Sequence, residues 1–514
     1  MWNKRFLTLC LPKFFATFRM KDRRLFIANR GEIAVRIIQA ARELGFFTIL
    51  PVAEDDFVSV AAQEADLACP LEGENLSKTY LSIPKLVQLA RENRADLVHP
   101  GYGFLSENKD FAQAVIDAGM EWVGPPPKAM ELLSSKVRAK ELCQKLKIPT
   151  VPFVTFPKEV SAKELEKAAE EIGFPLLVKA SGGGGGRGMR KVFEEKEFAE
   201  AVHSAQREAQ TAFGDPTVFV ERLVSPARHI EVQVMGDKNS KLVALGERDC
   251  SIQRRHQKII EETPSPLLSE VQRKYLEDYS IRLLQEAGYI SAGTVEFIFD
   301  SKGQPYFLEV NTRLQVEHPI TEERYGIDIV QWQLRIALGE SLWLGDLHPK
   351  GAAIEARLYA ENPYQGFTPQ PGRIYELSFP RIKGIRIETG VGASGFISPN
   401  YDPLIAKIIA WAPSREEAIR KLVTALRETV IVGPTTNRDF LIAVLQHPKF
   451  AEGDYHTHFV HEEFDGAGLN WPEERLAQVL AAAFGSSAVV AAGNSAAQKA
   501  GSVFGELQLG REYL

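Results

Sequence analysis

The sequence has few cysteines, no excess of basic charge and no long hydrophobic run, and each absence excludes a class of protein. Its 514 residues include four cysteines without C-x-x-C spacing, so a reducing compartment and no structural zinc site are expected. The formal net charge of −6 offers no basic face for nucleic acid. A hydrophobic fraction of 45% and a charged fraction of 25% are ordinary for a globular protein.

The first 19 residues differ from the rest in composition. They lack acidic residues, and Pro12 interrupts an apolar stretch that falls short of the ~20 residues needed to span a bilayer. One interpretation is a basic, amphipathic transit peptide, which would direct the protein to a mitochondrial or plastid matrix. The alternative, which we favour, is an upstream start codon with Met20 as the true beginning of a cytoplasmic protein.

The chain is too long for one hydrophobic core, so about three or four domains are expected. Strands alternate with amphipathic helices near the N-terminus; in the first helix, Ile33, Ile37 and Ile38 share one face and Gly45 follows its end. This alternation predicts a doubly wound α/β domain, although no G-x-G-x-x-G supports a dinucleotide site. The predicted segments are an extension (1–19), the α/β domain (20–123), a helical connector (124–150), an α+β lid (151–223), a mixed core and C-terminal region (224–466) and an Ala-rich tail (467–514).

A glycine run, "KASGGGGGRGMR" from Lys179 to Arg190, lies between two segments that have the composition of strands. Consecutive glycines expose backbone N–H groups that can close over phosphate oxygens. Because a strand rather than a helix follows, the run is predicted to cap a hairpin as a mobile flap and not to form a P-loop. The alternative is a flexible linker. The phosphate-binding candidates are Gly183, Gly184, Gly185 and Gly186.

The segment "TVEFIFDSKGQPYFLEVN" predicts a hairpin with carboxylates facing each other. If Phe299 pairs with Tyr306, Glu296 lies opposite Glu309 on one face of the sheet. Like charges directly across a ladder are destabilising, and a divalent cation removes that penalty. The alternative is a solvated sheet face. We favour a metal site, with Asn311 as a further oxygen ligand on the same face.

The next residues, "NTRLQVEHPITEE", alternate polar and apolar side chains. If this segment is extended, Arg313, Gln315 and Glu317 are directed at a common point, where the guanidinium can hold a planar anion beside a possible base. A second polar segment, "ERDCSIQRRHQK", contributes Gln253, Arg254, Arg255, His256 and Lys258. Such a charge run is usually a solvated face, but beside a polyphosphate site its cations are candidates for binding anionic oxygens. Together these features predict an ATP-dependent ligase that makes an acyl phosphate.

Five stretches are similar to the signature motifs of biotin carboxylase, an ATP-grasp enzyme. They are "FIANRGEIAVRI", "HPGYGFLSEN", "KASGGGGGRGMR", "GERDCSIQRRHQK" and "NTRLQVEHPITE", and the resemblance extends in order from about Leu25 to Phe464. It implies an ATP-grasp fold of mixed α/β and α+β class, with an N-terminal doubly wound domain, a mobile glycine-flap lid and a C-terminal biotin carboxylase domain.

The resemblance also implies a role for individual residues. ATP contacts are implied for Lys136, Lys179, Glu221, His229, Gln253 and His256. Metal binding is implied for Glu296 and Glu309, with Asn311 nearby. The bicarbonate pocket is implied to consist of Lys258, Arg313, Gln315, Val316 and Glu317. Biotin contacts are implied for Tyr102 and Arg357.

The implied reaction carboxylates biotin with bicarbonate and MgATP (or MnATP), by way of carboxyphosphate. The implied catalytic residues are Glu317 as base, Arg313, Lys258 and Arg357. Either biotin is carried by another polypeptide or the chain is cut from a longer one, because the only Met-Lys pair is Met20-Lys21, at the start of the first strand and without the usual hairpin context. The implied partners are a biotin carboxyl carrier protein, a carboxyltransferase and a second copy of the chain in a homodimer.

The resemblance extends to subunits of acetyl-CoA carboxylase, and so to fatty acid biosynthesis. The final acceptor stays open between acetyl-CoA, propionyl-CoA, methylcrotonyl-CoA and pyruvate. Two other functions also remain possible: a different ATP-grasp carboxylate ligase, and a nucleotide-binding regulatory protein without catalysis.

Overall fold

The computed structural model describes residues 23–157, 160–181 and 189–464, and its first domain is built on a parallel five-stranded sheet. The strand order is β3-β2-β1-β4-β5, and every pairing is parallel. The central strands are short apolar runs because parallel strands are covered on both faces. The predicted doubly wound α/β fold is therefore confirmed. The strands are β1 (Arg24–Ile27), β2 (Phe47–Val52), β3 (Leu67–Pro70), β4 (Leu97–His99) and β5 (Glu121–Trp122).

Four helices cover this sheet. The predicted apolar face of the first helix is buried, and Gly45 follows the helix at a φ of +81°, a left-handed conformation that suits glycine. The same helix also buries two charged side chains, Glu32 and Arg36, which face the C-terminal region. The helices are α1 (Gly31–Glu43), α2 (Val60–Glu64), α3 (Ile83–Glu92) and α4 (Lys109–Asp117).

Two connector helices lead into a small α+β unit that forms the predicted lid. Its antiparallel sheet has the order β6-β9-β7-β8, and β7 and β8 are hairpin partners on either side of the glycine run. Residues 182–188 lie outside the described residues, so phosphate binding by Gly183–Gly186 stays a prediction. The helices are α5 (Pro127–Ser134), α6 (Lys136–Lys145), α7 (Ala162–Ile172) and α8 (Glu195–Phe213); the strands are β6 (Phe153–Phe156), β7 (Leu176–Ala180), β8 (Arg190–Val192) and β9 (Val218–Arg222).

An eight-stranded antiparallel sheet joins the central and C-terminal regions, in the order β14-β13-β10-β11-β12-β15-β22-β20. Strand β11 contains the charge run as far as Arg254, and Arg248 and Asp249 within it are almost fully buried. The interpretation of this run as a solvated face is therefore wrong for its strand residues, whereas Arg255 and His256 in the following turn are exposed. The strands of this sheet are β10 (Arg228–Gly236), β11 (Leu242–Arg254), β12 (Gln257–Thr263), β13 (Ser291–Phe299), β14 (Pro305–Asn311), β15 (Ala352–Tyr359), β20 (Ile385–Thr389) and β22 (Leu404–Ala412).

The other elements of the described residues are three two-stranded ribbons, seven α-helices and three short 3₁₀ helices. No helix among them is long and apolar enough to cross a membrane. The ribbons are β16 (Glu361–Asn362) with β17 (Thr368–Pro369), β18 (Gly372–Arg373) with β21 (Phe396–Ile397), and β19 (Glu376–Ser378) with β23 (Val430–Val432). The helices are α9 (Glu270–Glu286), α10 (His318–Tyr325), α11 (Ile329–Ala337), α12 (Arg415–Glu428), α13 (Arg438–Gln446), α14 (Pro448–Glu452) and α15 (Phe459–Phe464).

Candidate active site

The β13–β14 hairpin places Glu296 directly opposite Glu309, as predicted. The pairing from which this was derived is wrong by one residue, because Tyr306 pairs with Ile298 and not with Phe299. An irregularity in the ladder beside Glu296 shifts the register by one residue and restores the expected alignment. The two carboxylates therefore face each other because of a bulge that alternation alone does not reveal.

Glu296 is buried and has a partner on each oxygen. Its Oε1 accepts hydrogen bonds from Asn311 Nδ2 at 2.7 Å and from Lys258 Nζ at 2.8 Å, and its Oε2 lies 2.9 Å from His229 Nε2. Burial alone would raise the pKa of Glu296, but the charges of Lys258 and His229 hold that pKa below its usual range. Burial would likewise lower the pKa of His229, but Glu296 raises it. The Glu296 carboxylate is thus ionised at neutral pH.

The donor set at this hairpin fits a divalent cation. Glu296, Glu309 and Asn311 supply hard oxygen ligands near the end of the hairpin, which is the ligand type that Mg²⁺ and Mn²⁺ prefer. In the structure, ammonium groups balance the two carboxylates: Lys258 contacts the first, and Lys136 Nζ lies 3.4 Å from Glu309 Oε2. The position therefore attracts positive charge, and these residues would hold the metal.

Lys258 is the centre of the site. Its ammonium donates to Glu231 at 2.5 Å, to Glu296 at 2.8 Å and to Glu317 at 2.9 Å. Burial alone would lower the pKa of Lys258, but the three carboxylates raise it well above its usual value. Arg248, which is fully buried, also donates to Glu231. One cation therefore contacts both Glu296, on the hairpin predicted to bind the metal, and Glu317, the predicted base.

Glu317 lies between Lys258 and Arg357. It accepts from Arg357 Nη2 at 2.9 Å, and the same nitrogen lies 2.5 Å from Glu261 Oε1. Burial would raise the pKa of Glu317, yet Lys258 and Arg357 hold that pKa well below its usual range. Burial instead raises the pKa of Glu261 to about 7, against the opposing charge of Arg357. Glu317 is consequently an ionised acceptor beside two fixed cations.

The segment that carries Arg313 is not extended beyond Asn311, so that expectation is wrong. Strand β14 ends at Asn311, a loop follows, and Glu317 precedes the first turn of α10. The loop still gathers the predicted groups, because Arg313 donates to Asn311 Oδ1 at 3.1 Å and to Gln315 Oε1 at 3.1 Å. It also pairs with Glu107 at 3.0 Å. The buried Gln315 Nε2 lacks a protein acceptor, as expected of a donor that faces an anion.

A second charge cluster lies in the lid sheet. Glu221 is almost fully buried between Lys179 at 2.5 Å and Lys140 at 2.6 Å. Burial would raise its pKa, but the two ammonium groups lower the pKa of Glu221 to about 2. Lys179 lies near the end of β7, just before the loop that contains the glycine run, so this cluster provides positive charge beside the predicted flap.

Two further nucleotide candidates lie on the β11–β12 hairpin. Gln253 Nε2 lies 2.8 Å from His229 Nδ1, which connects this hairpin to Glu296. His256 occupies the tight turn with Arg255, and both have a positive φ. Burial and the nearby charges of the lid lysines, Lys179 among them, lower the pKa of His256. The turn therefore approaches the lid from the central sheet.

Tyr102 lies in the turn that follows β4. Its carbonyl accepts from Asn29, and Gly101 and Gly103 flank it with positive φ. Its ring is partly buried against a core that the N-terminal domain shares with the central region. The roles of Tyr102 and Arg357 toward biotin remain predictions.

Sequence reasoning missed several partners that define the site. Glu231 alternates with His229 and Gln233 on strand β10, in which every residue is buried. A charged residue is rarely buried without a partner, so a glutamate in a buried strand could have been predicted to belong to the site. Lys140 lies on the connector helix α6. The sequence does not indicate that its side chain is buried, because lysines on helices are commonly exposed. The missed residues are Glu107, Lys140, Glu231, Arg248 and Glu261.

Three family models match the chain in succession. They are the biotin carboxylase N-terminal domain (residues 21–130), the carbamoyl-phosphate synthase L chain ATP-binding domain (135–344) and the biotin carboxylase C-terminal domain (355–462).

Curated relatives and solved structures share this architecture. The biotin carboxylase of Nostoc sp. is 43% identical over 86% of this chain and 99% of the relative. The propionyl-CoA carboxylase alpha chain of Ruegeria pomeroyi is 43% identical over 90% and 71%. The alignment covers 61% of the mouse mitochondrial methylcrotonoyl-CoA carboxylase subunit alpha, so the chain spans only part of that relative. A structural match is the biotin carboxylase domain dimer of Hydrogenobacter thermophilus 2-oxoglutarate carboxylase with MgADP, ADP and bicarbonate, at 43% identity, a TM-score of 0.82 and coverage of 86% and 97%.

Proposed function

Since this chain belongs to the biotin carboxylase family, we propose that the carboxylate cluster around Lys258 forms carboxyphosphate from bicarbonate and ATP. The observation that carries the proposal is the contact of one buried ammonium with Glu296 on the metal-binding hairpin and with Glu317 at the anion pocket. The related domain bound to MgADP and bicarbonate supports the same ligands here. The enzyme is an ATP-dependent carboxylase that acts on biotin.

In the first step, a bicarbonate oxygen attacks the γ-phosphorus of ATP. The new O–P bond gives carboxyphosphate, the bond to the β-phosphate oxygen breaks, and ADP leaves. Glu317 accepts the bicarbonate proton. Because its depressed pKa makes Glu317 a weak base, proton transfer is favourable only as the oxygen gives its electron pair to phosphorus. Arg313 and Gln315 orient the anion for this attack.

Charge on the transferred phosphoryl group is balanced by groups fixed before the reaction. Lys179 and Lys136 place ammonium groups beside the lid and the hairpin, and His229 holds Glu296 in place. Glu296 and Glu309 would hold a Mg²⁺ ion, which would neutralise part of the charge on the phosphate oxygens. Closure of the lid over these groups excludes water, which would otherwise hydrolyse the intermediate.

In the second step, carboxyphosphate breaks down to CO₂ and phosphate. The phosphate removes the proton from the biotin ureido nitrogen, and that nitrogen then attacks CO₂ to give carboxybiotin. Arg357 stabilises the enolate-like anion, because its guanidinium is fixed by Glu261 and Glu317 at the edge of the pocket.

A direct test measures ADP release by the purified chain with MgATP, bicarbonate and free biotin. We expect the rate of ADP release to depend on bicarbonate and to increase with the biotin concentration. A panel of other carboxylates in place of bicarbonate tests the rival ATP-grasp ligase. Nucleotide binding without turnover under any of these conditions would favour a regulatory protein instead.

We further propose that the chain works as a homodimer. Its substrate would be biotin on a separate biotin carboxyl carrier protein, which also delivers carboxybiotin to a carboxyltransferase. The relatives are named for propionyl-CoA, methylcrotonoyl-CoA and 2-oxoglutarate, so an acetyl-CoA carboxylase role in fatty acid biosynthesis is one of several. The carboxyltransferase that co-purifies with the chain would identify the final acceptor, because that enzyme binds the acceptor. We propose a cytoplasmic location, or an organelle matrix if residues 1–19 are a transit peptide; the intact mass of the native protein distinguishes these.

A further inference from the structure

Two buried side chains hold the backbone that leads into the base Glu317. The carbonyl of Gln315 lies 2.8 Å from His318 Nδ1, and the carbonyl of Val316 accepts from Lys407 Nζ at 3.0 Å. Burial lowers the pKa of His318 to about 3, so its ring is neutral and Nδ1 carries the proton that the carbonyl accepts. Both carbonyls of this short loop are therefore fixed by side chains outside it.

Fixing these carbonyls also fixes the direction of two amides. In a trans peptide the C=O and N–H bonds point to opposite sides. The N–H groups of Val316 and Glu317 thus point away from His318 and Lys407. In the described part of the chain neither amide donates to a protein acceptor. Two free donors beside the carboxylate of Glu317 match an anion with several oxygens.

Lys407 is unusual because a lysine side chain is rarely buried in the middle of a sheet. It is fully buried on β22, directly across the ladder from Arg357. Its ammonium lies 3.2 Å from Glu32 on α1 and 3.0 Å from Glu388 on β20. A buried charge is costly unless its partners are well placed, and here they come from the N-terminal domain and the sheet edge. The donor to Val316 is consequently held rigidly by two distant parts of the fold.

We propose that Lys407 and His318 are positioning residues that aim the amides of Val316 and Glu317, and the Glu317 carboxylate, at bicarbonate. Neither side chain is required to touch the substrate. The inference rests on the bicarbonate pocket of the proposed function, and it assigns the geometry of that pocket to two residues outside it.

The test varies bicarbonate at saturating MgATP and free biotin and measures ADP release. Lys407→Met removes the donor to Val316, and we expect the KM for bicarbonate to rise about 10-fold or more, while the KM for ATP changes less than about 2-fold. Lys407→Arg, which keeps a charged donor, is expected to restore part of the bicarbonate affinity. His318→Phe removes the other donor without stranding a charge, and it remains informative if Lys407→Met does not fold.

The matched control is Lys238→Met. Lys238 also donates to a main-chain carbonyl, that of Ala337 at 2.7 Å, and pairs with Glu121 at 3.1 Å, but it lies at another domain contact. Its bicarbonate KM should equal that of the wild type. A folded Lys407→Met or His318→Phe protein with an unchanged bicarbonate KM would overturn the positioning role. If the rate of ADP release by the wild-type protein did not depend on bicarbonate, that result would instead overturn the proposed function itself.

Discussion

Replacing Glu317 with glutamine isolates the proposed base from its structural contacts. The amide keeps the size of the side chain but cannot accept the bicarbonate proton. Arg357 retains Glu261 at 2.5 Å, and Lys258 retains Glu231 and Glu296, so no buried cation loses all its partners. The variant is therefore expected to fold and to bind ATP.

The expected loss follows from the role of a general base. Such a group contributes about 10²–10⁴-fold to the rate, which corresponds to about 3–5 kcal/mol in the activation barrier. The assay is bicarbonate-dependent ADP release with free biotin, with nucleotide binding measured in parallel. Because Lys258 and Arg357 hold the pKa of Glu317 well below its usual range, the wild-type rate should show no acid limb from this group down to about pH 5.

Glu261→Gln is the matched control for this variant. It makes the same chemical change on the other carboxylate that contacts Arg357, but it leaves the contact of Glu317 with Lys258 intact. Its loss of rate is expected to stay below about 10-fold. Equal losses in the two variants, or retained turnover in Glu317→Gln, would refute Glu317 as the base.

The metal and lid sites give three further predictions. Glu296→Ala should raise the Mg²⁺ concentration for half-maximal activity about 10-fold, and an unchanged Mg²⁺ titration would argue against the hairpin site. Lys140→Met should lower the free energy of unfolding by about 2 kcal/mol, since Glu221 keeps only Lys179; denaturant unfolding of the variant measures this, and equal stability would contradict the buried pairing. The pKa of Glu221 is lowered from 4.5 to about 2, so its stabilisation is complete above pH 4.5 and is lost as the pH falls toward about 2. Glu221→Gln should flatten the pH dependence of stability in that window, and a curve parallel to the wild type would count against this linkage.

Local pattern was sufficient for much of the molecule. The alternation in "TVEFIFD" and "PYFLEVN" predicts two strands, and the polar positions Glu296, Glu309 and Asn311 lie at the hairpin as expected. The pairing on which that register depended was nevertheless one residue out. A bulge depends on how two strands twist against their neighbours, and side-chain periodicity carries no information about it.

The loop after β14 shows a different limit. Alternation over "NTRLQVEH" predicted an extended segment, but α10 begins at His318 and turns the chain inward. Arg313 and Gln315 still meet because the loop folds back toward Asn311. The residue types were therefore informative about the chemistry of the pocket, while the backbone path was set by helix packing on the sheet.

Residue types and short motifs were enough to indicate the chemistry of this protein: strands with carboxylates, a glycine run, and motifs similar to those of biotin carboxylase. Each of these features is local, and the longest of them, the hairpin segment, covers 18 consecutive residues. The contacts that connect these features could be learned only from the fold. Lys258 meets Glu231, Glu296 and Glu317 across 27, 38 and 59 residues, and Lys407 reaches Val316 across 91. Such contacts depend on the order of strands in one sheet, which results from burial of the whole chain and not from any segment.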